Sequence, residues 1–315
     1  MKMKAISQDT LGGPEVLKTV EVDKPVPGPT EVLVRVEAAG LNPTDWKTRQ
    51  SGGFLTDRLP FVLGYDVSGV VEASGFGQAL YKPGDEVFGM LKYPDAHGAF
   101  AEYVTAPSRH FVRKPANIDH VQAAGIPLAG LTAYQALVDV AGLKGGQRVL
   151  IHAAAGGVGH LAVQIAKARG AYVIGTASAA KHEFLRGLGA DELVDYRNED
   201  FAEVVRDVDV VLDTIGGDYG PRSLPTLRRD GVIVSLVLRE LDPGFHERAA
   251  ELGIRAEAVL VEPDQAAMRA LAALVEAGKL RVEIAAVLPL AEAAKAHELG
   301  ETNRTTGKIV LTVAH

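Results

Sequence analysis

A turn of small residues at positions 153–159 is the stretch of this sequence best suited to bind a ligand. Gly156 lets the backbone approach a pyrophosphate closely, and Gly159 lets a following helix pack tightly on the preceding strand. The start of that helix offers unpaired N–H groups and a partial positive charge, which favour phosphate. Ala154 takes the first position of the usual G-x-G-x-x-G pattern, and a purely structural turn is the alternative. The residues expected to face a bound dinucleotide are Ala155, Gly156, Gly157, Val158 and Gly159.

The elements on either side of the turn indicate how it is held. Residues 149–152 form an apolar, β-branched run that is typical of a buried strand. Apolar residues at helical spacing follow over 158–169, Gly170 ends that helix, and residues 171–176 indicate a second buried strand. A strand, a glycine turn, a helix and a strand in this order form the dinucleotide-binding arrangement.

The end of the second strand indicates which dinucleotide the turn would bind. An NAD-specific unit carries an acid about 20 residues past the glycines, where it bonds the ribose 2′-OH. Positions 171–182 contain no acidic residue, and Thr176 or Ala177 stands where the acid would be. The hydroxyl of Ser178 and the ammonium of Lys181 would suit a 2′-phosphate, so we predict NADPH as the cofactor. Alternatively, Ser178 is a helix N-cap and Lys181 a solvated helix residue.

The composition limits the classes of function. A length of 315 residues favours two domains, and 47% hydrophobic with 23% charged residues is ordinary for a globular protein. The net charge of −7 disfavours a broad surface for nucleic acid or membrane. The chain has no cysteine and therefore no disulfide or thiolate site. It also lacks a signal-like N-terminus and any apolar run of about 18 residues, so we expect a cytoplasmic protein with no membrane or nucleic-acid partner.

The pattern of elements changes near residue 119. Before it, short β-rich runs between glycines and prolines favour a mostly antiparallel β unit. These runs are 32–36, 67–73, 86–88 and 101–105. After it, strands and helices alternate, which predicts a parallel sheet with helices on both faces. The predicted strands are 149–152, 171–176, 192–195, 208–213, 232–238 and 254–261, and the predicted helices are 119–126, 130–141, 158–169, 179–188, 199–206, 219–229 and 263–277.

The last segment returns to the β-rich style of the N-terminus. It is predicted to form a strand at 282–288, a short helix at 290–299 and a strand at 308–313. Such a tail can complete the N-terminal β unit, with the α/β unit inserted within it. We therefore predict one domain from 1–118 with 279–315, and a nucleotide-binding domain at 119–278.

Seven motifs and the C-terminal tail together resemble one family. They are LNPTDWKTR (41–49), GYDVSGVV (64–71), YKPGDEVFG (81–89), GAFAEYV (98–104), LAGLTAYQAL (128–137), AAAGGVG (153–159), VLDTIGG (211–217) and TNRTTGKIVL (302–311). Over essentially the whole chain and in the same order, they resemble the medium-chain dehydrogenase/reductase superfamily. The resemblance implies an α/β fold: a GroES-like, mostly β catalytic domain and a Rossmann domain with a doubly wound parallel sheet. It also implies NAD(P)-dependent hydride transfer and frequent dimers.

The residues at the zinc positions of this superfamily indicate the branch. Its zinc alcohol dehydrogenases bind the catalytic metal through a Cys in the first motif and a His-Glu pair in the second. This chain has Asn42, Tyr65 and Asp66 at those places, and its nine histidines show no ligand spacing. We therefore predict no metal site. The pattern resembles the zinc-free quinone oxidoreductase branch, which reduces quinones and activated alkenes.

The resemblance also implies roles around the cofactor. In this branch a Ser, a Lys and a downstream Tyr bind the 2′-phosphate and the adenosine, and Ser178, Lys181 and Tyr196 match those places. Asn42 is expected near the nicotinamide ribose, and Thr132 near the ring or the phosphate. Alternatively, Asn42 is a turn residue before a proline, and Thr132 is a helix-start residue.

Two strand ends and one C-terminal pair supply further candidates. The turn at 213–217 follows the fourth strand of the nucleotide-binding sheet, at the edge where ligands bind. The next strand end can bond the carboxamide through backbone groups. The C-terminal pair matches a polar and basic pair that closes over the cofactor in relatives, or its arginine pairs with Glu301 on the surface. The candidates are Ile215, Gly216, Leu236, Leu238, Asn303 and Arg304.

Hydride transfer also needs a group that handles negative charge on the acceptor. For an enone, hydride at the β-carbon leaves an enolate that needs a hydrogen bond and then a proton. Tyr65 and Lys47 are the titratable candidates near the position that zinc occupies in relatives. Tyr65 would donate to the developing oxyanion. Alternatively, Tyr65 packs beside the site and solvent supplies the proton.

Three functions stay open at this point. The leading one is a zinc-independent, NADPH-dependent reductase of a quinone or an enone. The second is an enoyl-thioester reductase of polyketide or fatty-acyl metabolism, although residues 52–54 lack the hydroxyl that such enzymes carry after the first motif. The third is a non-catalytic NADPH-binding protein with a structural or sensing role. The predicted edge strand 254–261 invites pairing with a second chain, so a homodimer is expected.

Overall fold

Glycine and proline divide the N-terminal part of the chain into short strands. The computed structural model describes residues 1–95, 98–237 and 244–315. Its first strands are β1 (Lys2–Gln8), β2 (Lys18–Asp23), β3 (Glu31–Leu41), β4 (Phe61–Val62), β5 (Asp66–Ser74), β6 (Glu86–Met90), β7 (Tyr103–Pro107) and β8 (Phe111–Arg113). The helices of this part are α1 (Pro43–Ser51), α2 (His120–Ala124) and α3 (Pro127–Tyr134), with 3₁₀ turns at Pro14–Val16, Gly53–Arg58 and Ser108–His110.

Strands and helices alternate after a π-helical turn at Gln135–Val140. The strands are β9 (Arg148–Ile151), β10 (Tyr172–Ala177), β11 (Glu192–Asp195), β12 (Val208–Asp213), β13 (Leu227–Ser235) and β14 (Arg255–Ala258). The helices are α4 (Gly159–Ala168), α5 (His182–Gly187), α6 (Phe201–Val204), α7 (Tyr219–Ser223) and α8 (Phe245–Glu251), with 3₁₀ turns at Ala179–Lys181 and Leu224–Thr226. The C-terminal part contains α9 (Gln265–Glu276), β15 (Ile284–Pro289), a 3₁₀ turn at Leu290–Glu292, α10 (Ala293–Glu301) and β16 (Lys308–Thr312). None of these described helices is both long and apolar enough to cross a membrane.

The described residues divide into two units with separate sheets. The β-rich unit comprises Met1–Leu131, Glu262–Gly278 and Val282–His315, and the Rossmann unit comprises Thr132–Val261 and Lys279–Arg281. The domain boundaries predicted from the sequence pattern, at 118/119 and 278/279, stay a prediction.

Pairing around β3 organises the β-rich unit. Its larger sheet has the order β15-β16-β3-β5-β6-β8, with β7 also paired to β3, and its smaller sheet has the order β2-β1-β4. Among the described strands of this unit, β15 and β16 are parallel and the other pairs are antiparallel. β16 lies beside β3 with Ile309 opposite Leu41. The C-terminal strand β16 thus lies in the same sheet as the N-terminal strand β3.

The described strands of the Rossmann unit form a parallel sheet in the order β11-β10-β9-β12-β13-β14. The chain leaves β9 toward β10 and leaves β12 in the opposite direction toward β13, so the strand order reverses between β9 and β12. Leu150 of β9 packs in a buried cluster with Phe201 and Phe245. Its neighbours Val149 and Ile151 point to the opposite face and are also buried. The predicted doubly wound α/β fold is confirmed.

Some predicted elements are wrong in their bounds. The helix predicted at 219–229 is too long, because α7 ends at Ser223 and β13 begins at Leu227. Pro225, which has no N–H to donate to a helix, lies in the 3₁₀ turn between them. Helix α1 has no counterpart among the predicted elements, since its sequence PTDWKTRQS shows little apolar periodicity.

A buried cation holds α1 against the C-terminal helix α10. Arg49 is fully buried, and its guanidinium donates to His297 Nδ1 at 3.2 Å, to the carboxylate of Glu301 and to the carbonyl oxygen of Gly12 at 3.1 Å. An arginine can only donate, so Nδ1 of His297 is the acceptor and Nε2 carries the proton. That Nε2 is buried and has no partner within the described residues. Charge-assisted bonds thus fix the helix that follows Asn42.

Lowering the pH is predicted to weaken the fold through His297. Burial, and then the charge of Arg49, lower the pKa of His297 to about 3. An unfolded histidine titrates near about 6.5, so the unfolded chain takes up this proton first. The stabilisation is therefore complete above about pH 6.5 and is lost as the pH falls toward 3.

The variant His297→Gln is neutral at every pH and should lose less free energy of unfolding on acidification than the wild type. The difference should approach about 1.4 kcal/mol per pH unit below pH 6. Urea denaturation at a series of pH values measures it. His246→Gln, at an exposed position of α8, is the control. A wild-type pH dependence in His297→Gln would contradict the prediction.

Candidate functional site

The glycine turn of the Rossmann unit connects β9 to α4 at the point where the strand order reverses. A Cβ on residue 159 would lie 2.4 Å from the carbonyl oxygen of Ala153 and 2.7 Å from Cα of Ala154, so only glycine fits there. The N–H of Gly156 donates to the same Ala153 oxygen at 2.8 Å. The turn thus packs directly on the first residue of the helix, as a pyrophosphate-binding turn requires. The predicted residues in this segment are Ala155, Gly156, Gly157, Val158 and Gly159.

The ends of β10 and β11 carry the three residues predicted for the 2′-phosphate. The strands are parallel and are paired up to their last residues, so Ser178 and Tyr196 follow at neighbouring strand ends. Ser178 is 9% exposed and makes no side-chain capping bond to the 3₁₀ turn that ends at Lys181. Ser178 therefore occupies the N-cap position of this turn without using its side chain as a cap. Burial, and then the charge of Arg197, lower the pKa of Lys181.

Asp213, the last residue of β12, organises the next two strand ends. Its fully buried carboxylate accepts the N–H groups of Ile215 at 3.0 Å and Gly216 at 2.9 Å. Its carbonyl oxygen accepts the N–H of Leu236 at 2.9 Å. These three predicted residues are therefore brought together at the carboxyl edge of the Rossmann sheet. Leu238, also predicted, lies outside the described residues.

Four other predicted residues belong to segments of the chain that do not follow a strand of the Rossmann sheet. Thr132 is buried within α3, and Lys47 is on the exposed face of α1. Asn303 and Arg304 are exposed after α10. Glu301 is the alternative partner considered for Arg304. Its carboxylate accepts hydrogen bonds from Arg49 and Gln50 of α1.

The β-rich unit encloses a buried polar cluster at the start of α1, formed by Asn42, Asp66 and Lys308. Lys308 Nζ lies 3.5 Å from Asp66 Oδ2 and donates to Asn42 Oδ1 and to the Leu41 carbonyl oxygen at 2.8 Å. Asn42 Nδ2 donates to Asp66 Oδ2 at 2.8 Å, and the N–H of Leu128 donates to Asp66 Oδ1 at 2.6 Å. Burial raises the pKa of Asp66 and lowers the pKa of Lys308, while their mutual attraction opposes both shifts. The charged form of each residue is thus stabilised by the charge of the other.

Two buried groups next to this cluster hold their protons more strongly than usual. Burial raises the pKa of Asp45 to about 7, although the N–H of Asn42 bonds its Oδ2 at 2.7 Å. Its Oδ1 is buried without a partner in the described part of the chain. Tyr65 is 2% exposed and packs edge-on against Tyr93, with ring centroids 5.2 Å apart. Burial, and then the charge of Asp45, raise the pKa of Tyr65, so its hydroxyl keeps its proton.

Sequence reasoning missed Lys308, although a signal for it exists. Lys308 begins the apolar run 308–313, which the pattern predicts to be a buried strand. A lysine at an inward position of such a strand needs a buried acceptor or anion. Its partner Asp66 lies 242 positions earlier, so only the fold identifies the pair.

The described residues contain no group of three or more His, Asp or Glu side chains arranged to hold a metal ion. Asp66, at one of the former zinc positions, is bonded by Lys308, Asn42 and Leu128. Zinc independence itself stays a prediction.

Two protein families match parts of the chain. Residues 28–116 match the alcohol dehydrogenase GroES-like domain, and residues 188–311 match the family described as zinc-binding dehydrogenase. The first match lies in the β-rich unit, and the second covers parts of both units.

Individual relatives match nearly the whole chain. The NADPH-dependent alkenal/one oxidoreductase, chloroplastic, of Arabidopsis thaliana is 37% identical, over 98% of this chain and 79% of the relative. The solved structure of the quinone oxidoreductase from Coxiella burnetii is 42% identical and covers 100% of both chains with a TM-score of 0.94. A mycobacterial protein solved in complex with NADPH is 31% identical, over 98% of this chain and 100% of that chain, with a TM-score of 0.88.

Removing one charge of the buried pair is predicted to cost more than removing both. Lys308→Met leaves the carboxylate of Asp66 buried without its cation and should lower the free energy of unfolding by about 3–5 kcal/mol. Adding Asp66→Asn removes that charge, and the double variant should regain more than about 1 kcal/mol.

Guanidinium denaturation of the wild type, both single variants and the double variant gives the coupling free energy. Lys295→Met, whose lysine pairs with Glu292 on the surface, is the control and should change stability by less than about 0.5 kcal/mol. Additive effects of Lys308→Met and Asp66→Asn would contradict the account of the cluster.

Proposed function

We propose that this chain, which belongs to the medium-chain dehydrogenase/reductase superfamily, is an NADPH-dependent reductase that transfers hydride to a quinone or an α,β-unsaturated carbonyl compound. The observation that carries the proposal is the glycine turn at the strand-order reversal, followed at the next strand end by a hydroxyl and an ammonium group. The relatives named as an alkenal/one oxidoreductase and a quinone oxidoreductase support the same chemistry.

The Rossmann unit would hold the cofactor along the carboxyl edge of its sheet. The pyrophosphate would bind at the turn, against the N–H groups that begin α4. Ile215, Gly216 and Leu236 would line the neighbouring strand ends, and Thr132 and Leu238 are the other candidates of this unit. When bound, NADPH supplies the hydride.

We assign the 2′-phosphate to Ser178, Lys181 and Tyr196. The burial and the Arg197 charge that lower the pKa of Lys181 would be offset by a phosphate, because an opposite charge favours the ammonium form. Ser178 has a hydroxyl that does not cap the following turn. Tyr196 is 47% exposed, so its ring is accessible to an adenosine.

Three of the residues that the sequence suggests for the cofactor, Asn42, Asn303 and Arg304, belong to the β-rich unit. Asn42 donates to Asp66 through Nδ2 and accepts from Lys308 through Oδ1, and we propose this side chain for the nicotinamide ribose. Asn303 and Arg304, both exposed, are candidates to close over the cofactor.

We propose that the reaction needs no metal ion and that Tyr65 assists it. Asn42, Tyr65 and Asp66 stand at the zinc positions of the superfamily, and none has the character of a zinc thiolate or imidazole ligand. The protonated hydroxyl of Tyr65 would donate to the oxyanion that forms on the acceptor as hydride arrives. Lys47, on the exposed face of α1, is the second candidate.

A homodimer is part of the same proposal. β14 lies at the edge of the Rossmann sheet, and Leu260 just beyond it is 47% exposed. β14 has the sequence RAEA, and as an edge strand it has backbone groups that can pair with the same edge of a second copy. The cytoplasmic location expected from the sequence stays a prediction.

NADPH oxidation, followed at its absorbance band, tests the acceptor class. A 1,4-benzoquinone and a simple enone should be reduced, and added EDTA should leave the rates unchanged. Tyr65→Phe should lower kcat for the enone by about a hundredfold without changing the KM for NADPH. A crotonyl thioester reduced far faster than both other acceptors would favour the enoyl-thioester alternative. NADPH binding without turnover on any acceptor would contradict the proposal, and an unchanged kcat in Tyr65→Phe would exclude Tyr65 as the donor.

Lys181→Ala tests the cofactor assignment. The loss of a charge-assisted bond to the 2′-phosphate should raise the KM for NADPH roughly 10- to 100-fold and leave the KM for NADH nearly unchanged. Lys144→Ala removes an exposed lysine from the loop before β9 and should change neither value. Equal shifts for both cofactors in Lys181→Ala would refute the assignment.

A further inference from the structure

His152 occupies the position between β9 and the glycine turn, and it is fully buried. Its N–H donates to the carbonyl oxygen of Leu212 at 3.1 Å, and its own carbonyl oxygen accepts the hydroxyl of Thr214 at 2.8 Å. The backbone of His152 is therefore tied to β12, the strand on the other side of the order reversal.

The side chain of His152 belongs to a chain of four hydrogen bonds that begins inside the turn. The N–H of Ala153 donates to Thr176 Oγ1 at 3.2 Å, and Thr176 Oγ1 lies 3.3 Å from His152 Nδ1. On the other side of the ring, His152 Nε2 lies 2.8 Å from Ser223 Oγ, whose hydroxyl donates to the Tyr219 carbonyl oxygen at 2.7 Å. The chain runs from the backbone of the turn, across β10, to helix α7.

The partners determine the direction of each bond in this chain. The hydroxyl proton of Ser223 is used by Tyr219, so Ser223 Oγ must accept the proton of His152 Nε2. Nδ1 of the neutral ring is then an acceptor, and the hydroxyl of Thr176 donates to it while accepting from Ala153. Burial, and then the charge of Arg222, lower the pKa of His152 to about 3, so the ring stays neutral and this direction is maintained.

The turn needs such support because of its backbone conformation. Ala153 has a φ of 46°, in the left-handed region that is unfavourable for alanine. Its carbonyl oxygen is also the atom nearest to the position that a Cβ on residue 159 would take, at 2.4 Å. A rotation at Ala153 would move the turn against the start of α4.

Aromatic packing keeps the ring of His152 in place. The ring lies edge-on to Phe201 and to Tyr219, with centroid distances of 4.5 Å and 5.0 Å. The guanidinium of Arg222 lies over both of those rings, at 4.8 Å from Phe201 and 5.6 Å from Tyr219. The packing that sets the position of the ring thus comes from two elements that follow the turn in the chain, α6 and α7.

We propose that His152 is a positioning residue for the dinucleotide: through Thr176 and Ser223 it holds the backbone of Ala153 in the conformation that receives the pyrophosphate. This inference rests on the proposed function, because it concerns the turn that would hold the cofactor. It concerns the part common to NADPH and NADH, and not the 2′-phosphate.

Thr176→Val and Thr176→Ser form the matched pair that tests this role. In the cofactor-free protein, Thr176→Val should accelerate amide hydrogen exchange in residues 152–159, because the N–H of Ala153 loses its acceptor. It should also raise the dissociation constants of NADPH and NADH by the same factor, about tenfold, because the competent turn is populated less often. Thr176→Ser keeps the hydroxyl and should leave the exchange rates and both dissociation constants at their wild-type values.

Ser223→Ala tests the role of the His152 ring. Within this chain of hydrogen bonds, the Ser223 hydroxyl is connected to the turn through that ring, so the substitution affects the turn through His152. It should accelerate exchange in the turn and raise both dissociation constants about threefold, and it serves alone if Thr176→Val does not fold. Unchanged exchange and affinity in either variant, or a loss confined to NADPH, would overturn the inference. Wild-type protein that binds neither dinucleotide would contradict the proposed function, while the exchange measurement would still decide the role of His152.

Discussion

The proposed function depends on one close backbone contact, between the glycine turn and the first residue of α4. Because a side chain at position 159 would lie 2.4 Å from the Ala153 oxygen, the strand, the turn and the helix can meet only through glycine. The parallel order of the sheet puts this contact where the strand order reverses, which is the place where open α/β sheets bind ligands. Ser178 and Lys181 then follow at the end of the neighbouring strand, so the sites proposed for the pyrophosphate and for the 2′-phosphate lie on one sheet.

In the β-rich unit, the corresponding constraint is the buried cluster that pairs the charges of Asp66 and Lys308. Asn42, Asp66 and Lys308 come from the ends or starts of three elements, and their bonds join β3, β5 and β16 at one point. Tyr65 directly precedes Asp66, so the bonds that satisfy the carboxylate also fix the backbone that carries the proposed hydrogen-bond donor. Arg49 anchors the other end of α1. Removing one partner of such a buried set is costly even where the whole set adds little net stability.

Local signals made the strand, turn and helix over 149–169 predictable, because apolar periodicity and glycine placement act within a few residues. The long-range features were not accessible in the same way. The helix predicted at 219–229 fails because residue 227 pairs with Val208 and extends β13 instead. The pairing of Asp66 with Lys308 spans 242 positions, and the bond chain through His152 needs β10 and α7 to be in place. Polar partners distant in sequence leave no periodic pattern, so the residue types were visible but not their pairing.

The central claim is that the Rossmann unit has a site selective for the 2′-phosphate. The dissociation constants of NADPH and NADH for the wild-type protein test this claim most directly. Isothermal titration calorimetry measures both without requiring a known acceptor. Charge-assisted bonds of about 1.5–3 kcal/mol to the phosphate predict that NADPH binds at least about tenfold more tightly than NADH. Equal dissociation constants for the two dinucleotides, or binding of neither, would contradict the account.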